Sequence, residues 1–292
     1  MITILGQLLV NGITIGLIYI ILAVGLVLIL NVSRIFFIAY GSLFMLGALS
    51  VWAGIALLGL PFLISLCMSV LATALIGLAS YQFIFRYILY KEKMFLAVII
   101  VAMGLMMILD QTALLVFGPT TKGVQPVVEG IIRFAGVSLP LEKLVIMVLG
   151  VIIALILFFF YEKTNIGRAM RAVSFSPEAA SLQGINTSMI YLVTLGIAGA
   201  MAGFAGGIMA PVYGVYPEMG RDIILSILLV IMLGGMDSMV GAAIGGFVFG
   251  ITMSFGQYFI GGLAQVLLFV ITGIIIFLRP GGLMGSGTEL EV

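Results

Sequence analysis

The chain's 292 residues are 63% hydrophobic and 8% charged, with a net charge of +1, one cysteine and no histidine. At a mean hydropathy of +1.38, it requires lipid as solvent and reads as an all-α polytopic helical membrane protein with one transmembrane domain, 1–292. The composition excludes an intrachain disulfide, a histidine triad and an ordinary zinc site, so no metal is expected. With no basic cluster outside short loops it also excludes nucleic acid as a partner.

Apolar runs and the breaks between them predict about eight to nine membrane segments, near 5–30, 35–57, 61–84, 94–117, 142–161, 187–211, 221–236, 240–259 and 263–278. The first run lacks a basic leader and a small-x-small cleavage site, so it is expected to be retained. In the second, the Asn31-Val32-Ser33-Arg34 lead-in and the internal Tyr40-Gly41-Ser42 predict a broken or re-entrant helix. Cys67, in the third, reads as a small apolar packing residue.

Asp110 is the one acid well inside a predicted span, roughly two turns from its end. A carboxylate there must face the bundle or a watery cavity, and Gln111 beside it suggests a local polar cluster. Two readings stand together: an interhelical tie, or a residue of a translocation path. The following loop, 118–142, carries Pro119, Pro126 and Pro140 and alternates around Val127 to Val137, so a small extracytoplasmic hairpin or cap is expected.

A polar island, EKTNIGRAMRAVSFSPEAASLQGIN, covers 162–186 and holds three of the twelve basic residues. It must leave the bilayer, and Lys163, Arg168 and Arg171 assign it to the cytoplasm. Ser176 is placed to cap a short helix, with Pro177 in its first turn, Glu178 at its positive end and Gly184 to stop it. A short capped helix outside a membrane domain is a docking element. Alternating the segments from this loop puts eight basic residues inside and four outside, with an outside N-terminus and a cytoplasmic C-terminus.

Further along, Gly199 with Gly203, Gly241 with Gly245 and Gly246 with Gly250 form small-xxx-small pairs that let helices approach closely. Static packing and sliding during a transport cycle both require this spacing. Glu218 and Asp222, around Arg221, mark a membrane boundary with local ion pairing and solvation, with partner docking as the other reading, and Asp237 with Ser238 reads as a turn and helix cap. No phosphate-binding loop occurs: Gly118-Pro119-Thr120-Thr121-Lys122-Gly123 has the wrong spacing. The chain is therefore not expected to hydrolyse nucleotide, or to act as an enzyme. A serine-histidine or two-aspartate intramembrane protease is also excluded.

Within the island, Glu178-Ala179-Ala180-x-x-x-Gly184 matches the EAA-x3-G hallmark of permease subunits of bacterial ABC importers. With Gly167-Arg168-Ala169-x-Arg171-Ala172 before it and Leu182-x-Gly184-Ile185-Asn186 after it, the chain resembles the branched-chain amino acid ABC transporter permease family. Further matches run from Asn11-Gly12, Gly16 and Tyr19 through Gly41-x-Leu43-Phe44-Met45-Leu46-Gly47-Ala48 and Phe117-Gly118-Pro119. They continue through Leu233-Gly234-Gly235, Gly241-Ala242 and Gly245-Gly246 to Arg279-Pro280-x-Gly282-Leu283. The short N-terminus resembles the LivH-type subunit. The chain departs in two places: members usually show an aromatic-alanine-histidine-glycine-acid run where this chain has Ile38-Ala39-Tyr40-Gly41-Ser42, and an amide where it has Asp110.

The resemblance implies a multi-pass protein of the bacterial inner membrane working with a second homologous permease, two cytoplasmic ATP-binding subunits and an extracytoplasmic solute-binding protein. ATP and Mg would sit on the partner subunits and no cofactor on this chain. It implies coupling through Arg168, Arg171, Pro177, Glu178, Ala179, Ala180 and Gly184. The polar span residues Asn11, Thr14, Tyr19, Tyr40, Ser42, Asp110 and Gln111 are the path candidates. Besides branched-chain amino acids, related permeases suggest urea, short amides and aromatic or other carboxylic acids as solutes. A proton-coupled secondary transporter using Asp110 and a membrane scaffold are the readings from other classes.

Overall fold

A computed structural model describes residues 2–91, 95–125, 130–134, 137–279 and 281–285. The helices are α1 (Ile2–Ser33), α2 (Tyr40–Ala56), α3 (Phe62–Ser80), α4 (Arg86–Lys91), α5 (Phe95–Phe117), α6 (Leu141–Lys163), α7 (Asn165–Phe175), α8 (Pro177–Leu182), α9 (Thr187–Tyr213), α10 (Met219–Gly234), α11 (Met239–Ile260) and α12 (Ala264–Leu278). A π-helical turn, Tyr81–Phe85, joins α3 to α4, and a 3-10 turn, Gly261–Leu263, joins α11 to α12. Two short strands, β1 (Ile131–Phe134) and β2 (Val137–Pro140), pair antiparallel with Phe134 opposite Val137.

Each of the nine expected segments falls on a helix. Among the described residues, six stretches are long and apolar enough to cross a membrane: Ile4–Ser33, Phe62–Leu89, Leu96–Phe117, Leu141–Lys163, Thr187–Tyr213 and Met239–Leu278, the last spanning both α11 and α12. The protein is thus an all-α polytopic membrane protein. The hairpin expected in the 118–142 loop is present as β1 and β2. Lys93, Pro126, the Val127–Glu129 part of the alternation, and Pro280 lie outside the described residues.

The expected break in the second segment lies earlier than the sequence suggested. Helix α1 continues through Ser33, the chain turns at Arg34 with φ +53, and Tyr40-Gly41-Ser42 forms the first turn of α2. Ile35 and Phe37, in the non-helical connection, are fully buried. Irregular backbone inside a membrane domain is tolerated where protein covers it.

The chain groups into two compact units. One comprises 1–27, 126–154 and 225–292, and the other 28–125 and 155–224. In the first, α1 crosses α11 on glycine: a Cβ on Gly12 would stand 3.0 Å from Ile251 Cα, and one on Gly16 3.3 Å from the Gly246 carbonyl. Ser254 Oγ donates to the Leu8 carbonyl at 2.7 Å across this crossing. Gly241 and Gly245 press on the backbone of α10 at Gly234 and Val230. The turn after α12 returns to the same place, where Leu283 N–H donates to the Leu233 carbonyl at 3.0 Å.

In the second unit α2, α3 and α9 pack together. A Cβ on Gly47 would lie 2.5 Å from Gly203 Cα, and one on Gly199 2.5 Å from the Thr73 carbonyl. Ser69 Oγ sits between the three helices, 2.9 Å from the Gly47 carbonyl and 3.0 Å from that of Gly203. Lipid gives no hydrophobic drive for helices to associate. Close backbone contact and interhelical hydrogen bonds do that work instead.

Candidate functional site

The polar island folds as two short helices. Thr164 caps α7 by accepting from Gly167 N–H at 3.0 Å, and Gly167 is squeezed against the end of α6, where a Cβ would meet the Phe160 carbonyl at 2.6 Å. Arg171 fastens α7 to the same end: its guanidinium reaches the Tyr161 carbonyl, donates to the Glu162 carbonyl at 3.1 Å and lies over the Tyr161 ring at 5.2 Å. Arg168 contacts Asn165 on its own helix and is exposed. Of the two island arginines, one holds the platform and the other faces outward.

Helix α8 has the ends its sequence suggests. Ser176 Oγ accepts from Ala179 N–H at 3.2 Å, Pro177 occupies the first turn, and Glu178 stands in that turn at the positive helix end. At the other end Ile185 N–H donates to the Ala180 carbonyl at 3.1 Å and Gly184 N–H to that of Ser181 at 3.0 Å. This paired closure needs the left-handed φ of +83 that Gly184 supplies. Ala180 is buried, while Glu178, Ala179 and Gly184 are exposed. Phe175 and Leu182 are 91% and 90% exposed. Two large apolar side chains are thus presented beside a rigidly capped helix.

A second polar constellation lies within one unit. Asp110 on α5 is 4% exposed. It accepts from Ser42 Oγ of α2 at 2.7 Å through Oδ1 and from Arg221 Nε of α10 at 3.1 Å through Oδ2. Gln111, its expected companion, is exposed, because adjacent helix residues point about 100° apart. Sequence reasoning missed Arg221. A lone carboxylate inside a span needs a cation or donor, and Arg221 at a helix start was the basic residue to try. Its acidic neighbour Asp222 accepts from the Tyr216 hydroxyl at 3.0 Å, and burial together with that carboxylate pushes the Tyr216 phenol up from its ordinary value. Tyr40, fully buried in the first turn of α2, has a hydroxyl without a hydrogen-bond partner among the described residues.

The path candidates on α1 belong to the other unit. Asn11 Oδ1 accepts from Lys143 Nζ at 2.7 Å. Thr14 donates to the Val10 carbonyl of its own helix at 2.9 Å, which satisfies a buried hydroxyl without a neighbour. The Tyr19 ring lies 4.3 Å from that of Phe249. Among the described residues, no group of three or more histidine, cysteine, aspartate or glutamate side chains is arranged to hold a metal.

Comparison with known proteins gives the constellation its setting. A family model described as the permease component of branched-chain amino acid transport systems matches residues 8–278. The permease protein BraD of a high-affinity branched-chain amino acid transport system in Pseudomonas aeruginosa is 26% identical over 294 residues, covering 96% of this chain and 95% of that protein. The corresponding LivH protein of Escherichia coli K12 is 26% identical over 289 residues, 94% of each chain. A probable LivH of Methanocaldococcus jannaschii is 35% identical over 104 residues, 36% of this chain and 33% of its own. No solved structure matches. The family model covers nearly the whole apolar body of the protein, from the first turns of α1 to the last residue of α12, and the chain belongs to the family of branched-chain amino acid transport system permease components.

Proposed function

We propose that the chain is the LivH-type permease subunit of a bacterial ABC importer for branched-chain amino acids or a closely related small polar solute. It works in the inner membrane beside a second homologous permease, with two cytoplasmic ATP-binding subunits that carry ATP and Mg and an extracytoplasmic binding protein that delivers solute. The chain is one permease domain, 1–292, with a coupling loop at 162–186 in the cytoplasm, a loop at 118–142 outside and a cytoplasmic C-terminus.

The observation that carries this reading is the build of α8. A six-residue helix is marginal in isolation, yet this one is capped at both ends and presents Leu182 outward beside Glu178, with the exposed Phe175 at the end of α7. That surface suits an apolar groove on a partner. Arg171 and Gly167 transmit any force on α8 through α7 to α6. Closure of the ATP-binding subunits on nucleotide would bias the permease toward one of two conformations, and hydrolysis would reset it. Asn11, Thr14, Tyr19, Tyr40, Ser42, Asp110 and Gln111 are the proposed path residues. Both oxygens of Asp110 are engaged by Ser42 and Arg221, which favours a fixed ion pair over a proton-carrying acid.

The test is Glu178→Lys combined with Gly184→Pro. Both sites lie outside the apolar spans, so the variant inserts at normal yield while ATP-binding subunits dissociate from it or hydrolyse ATP without uptake. Normal uptake by this variant overturns the coupling role. Recovery of no ATP-binding subunit from a gently solubilised wild-type complex overturns the importer.

A further inference from the structure

We infer that Arg221 is the residue that receives the carboxylate of the transported solute, oriented for that task by Asp110. The inference rests on the permease reading above and narrows its solute class to small carboxylate-bearing molecules, excluding urea and simple amides.

The argument starts from how the guanidinium is held. Arg221 touches Asp110 through Nε alone, at 3.1 Å. The carboxylate is fixed in turn: its other oxygen takes the Ser42 hydroxyl at 2.7 Å, and its side chain is 5% exposed. A buried carboxylate tethered from α2 therefore sets the plane of the guanidinium. The Nη1–Nη2 edge, which matches a carboxylate in a two-bond fork, is not used by Asp110. The Arg221 side chain is 49% exposed, so the described residues of this chain leave part of the guanidinium uncovered.

The backbone beside it is closed tightly. Gly41 and Gly220 meet so closely that a Cβ on Gly220 would stand 2.8 Å from the Gly41 carbonyl and 3.2 Å from Ser42 Cα. The starts of α2 and α10 are thereby locked together with no side chain between them, and Ser42 and Arg221 follow directly on the two glycines. Arg221 lies in the first turn of a 16-residue helix, where Asp222 already supplies a carboxylate to the positive helix end.

The test uses the reconstituted importer with its binding protein, in proteoliposomes, and four probes: L-leucine, benzoate, urea and acetamide. Wild type should take up leucine or benzoate in an ATP-dependent manner and neither carboxylate-free solute. Losing a charge-assisted fork costs about 10- to 100-fold, so Arg221→Gln should lower carboxylate uptake by that factor, with Arg221→Lys between the two. The double variant Asp110→Asn/Arg221→Gln removes both charges. If the pair is only a structural tie, it restores uptake together with protein yield; we expect it to restore yield alone. Recovered uptake in the double variant overturns the inference, as does a wild type that imports urea or acetamide, and either result leaves the permease function standing. An equal loss of affinity for loaded and empty binding protein in Arg221→Gln also overturns it, by making Arg221 a docking residue. Absence of ATP-dependent uptake of all four probes strikes the permease reading itself.

Discussion

Glycine-to-alanine substitution should have opposite effects at two sites in this protein, and the structure fixes both signs. At Gly203 in α9 the new methyl would collide with Thr73 Oγ1, stand 2.9 Å from Thr73 Cβ and 3.0 Å from the Ser69 carbonyl. At Gly104 in α5 nothing lies within 4 Å of the position a Cβ would take. Alanine favours a helix over glycine by about 1 kcal/mol at both sites. Overpacking at Gly203 costs about 1–3 kcal/mol. Forcing α3 from α9 also strains the Ser69 bonds to Gly47 and Gly203, worth about 0.6 kcal/mol each in membrane proteins. Gly203→Ala should therefore destabilise by about 1–3 kcal/mol, while Gly104→Ala is stabilising by up to about 1 kcal/mol.

The assay is equilibrium unfolding in mixed micelles, followed by far-UV circular dichroism. Thr73→Ala provides the internal control. The Thr73 hydroxyl donates to Ser69 and Val70 carbonyls of its own helix, so its removal breaks no interhelical bond and relieves the closest contact. Combined with Gly203→Ala it should recover at least about 1 kcal/mol relative to additivity. If Gly203→Ala and Gly104→Ala fall within about 0.5 kcal/mol of each other, the tight α3–α9 crossing is wrong.

Three further outcomes follow from single atoms. Tyr40→Phe removes a buried hydroxyl that has no partner among the described residues, so it should leave stability unchanged or raise it by about 1 kcal/mol in the same unfolding assay, whereas a loss above about 1 kcal/mol would reveal a bond. Ser176→Ala deletes the acceptor of Ala179 N–H at a cost of about 1 kcal/mol, and hydrogen exchange at Ala179 should accelerate about fivefold with overall stability unchanged. Asn11→Leu removes the acceptor of the half-buried Lys143 ammonium and should destabilise by about 0.5–1.5 kcal/mol, an effect that Asn11→Leu/Lys143→Met largely reverses; no reversal would show the pair to be incidental.

Local chemistry explains which parts were legible in the sequence. The ends of α8 could be read because capping is decided within about four residues: Ser176 and Ala179, Gly184 and Ser181, are all neighbours in the chain. The spans could be read because lipid imposes a composition on about 20 residues at a time. The start of α2 could not, because the residues that keep Ile35 to Ala39 out of a helix act through burial and backbone contact, not through a breaker such as proline. Gly41 and Gly220 show the same limit: each is one glycine among 38, and their meeting is a tertiary fact.

Ser42 and Asp110 carry this furthest. In the sequence they stand 68 residues apart as two separate departures from the pattern the chain resembles, a hydroxyl where an acid is usual and an acid where an amide is usual. In the structure they are one hydrogen-bonded pair, with Oγ donating to Oδ1 at 2.7 Å. Read together they amount to a carboxylate placed on α5 with a donor on α2 to hold it, and the acid is the costly member: without Ser42 one oxygen of a buried aspartate is short of a donor. Arg221 completes the balance by supplying the opposite charge. Single substitutions in this trio should therefore be read beside the charge-free pair Asp110→Asn/Arg221→Gln and against protein yield, because removing Arg221 alone leaves the buried Asp110 carboxylate without its cation.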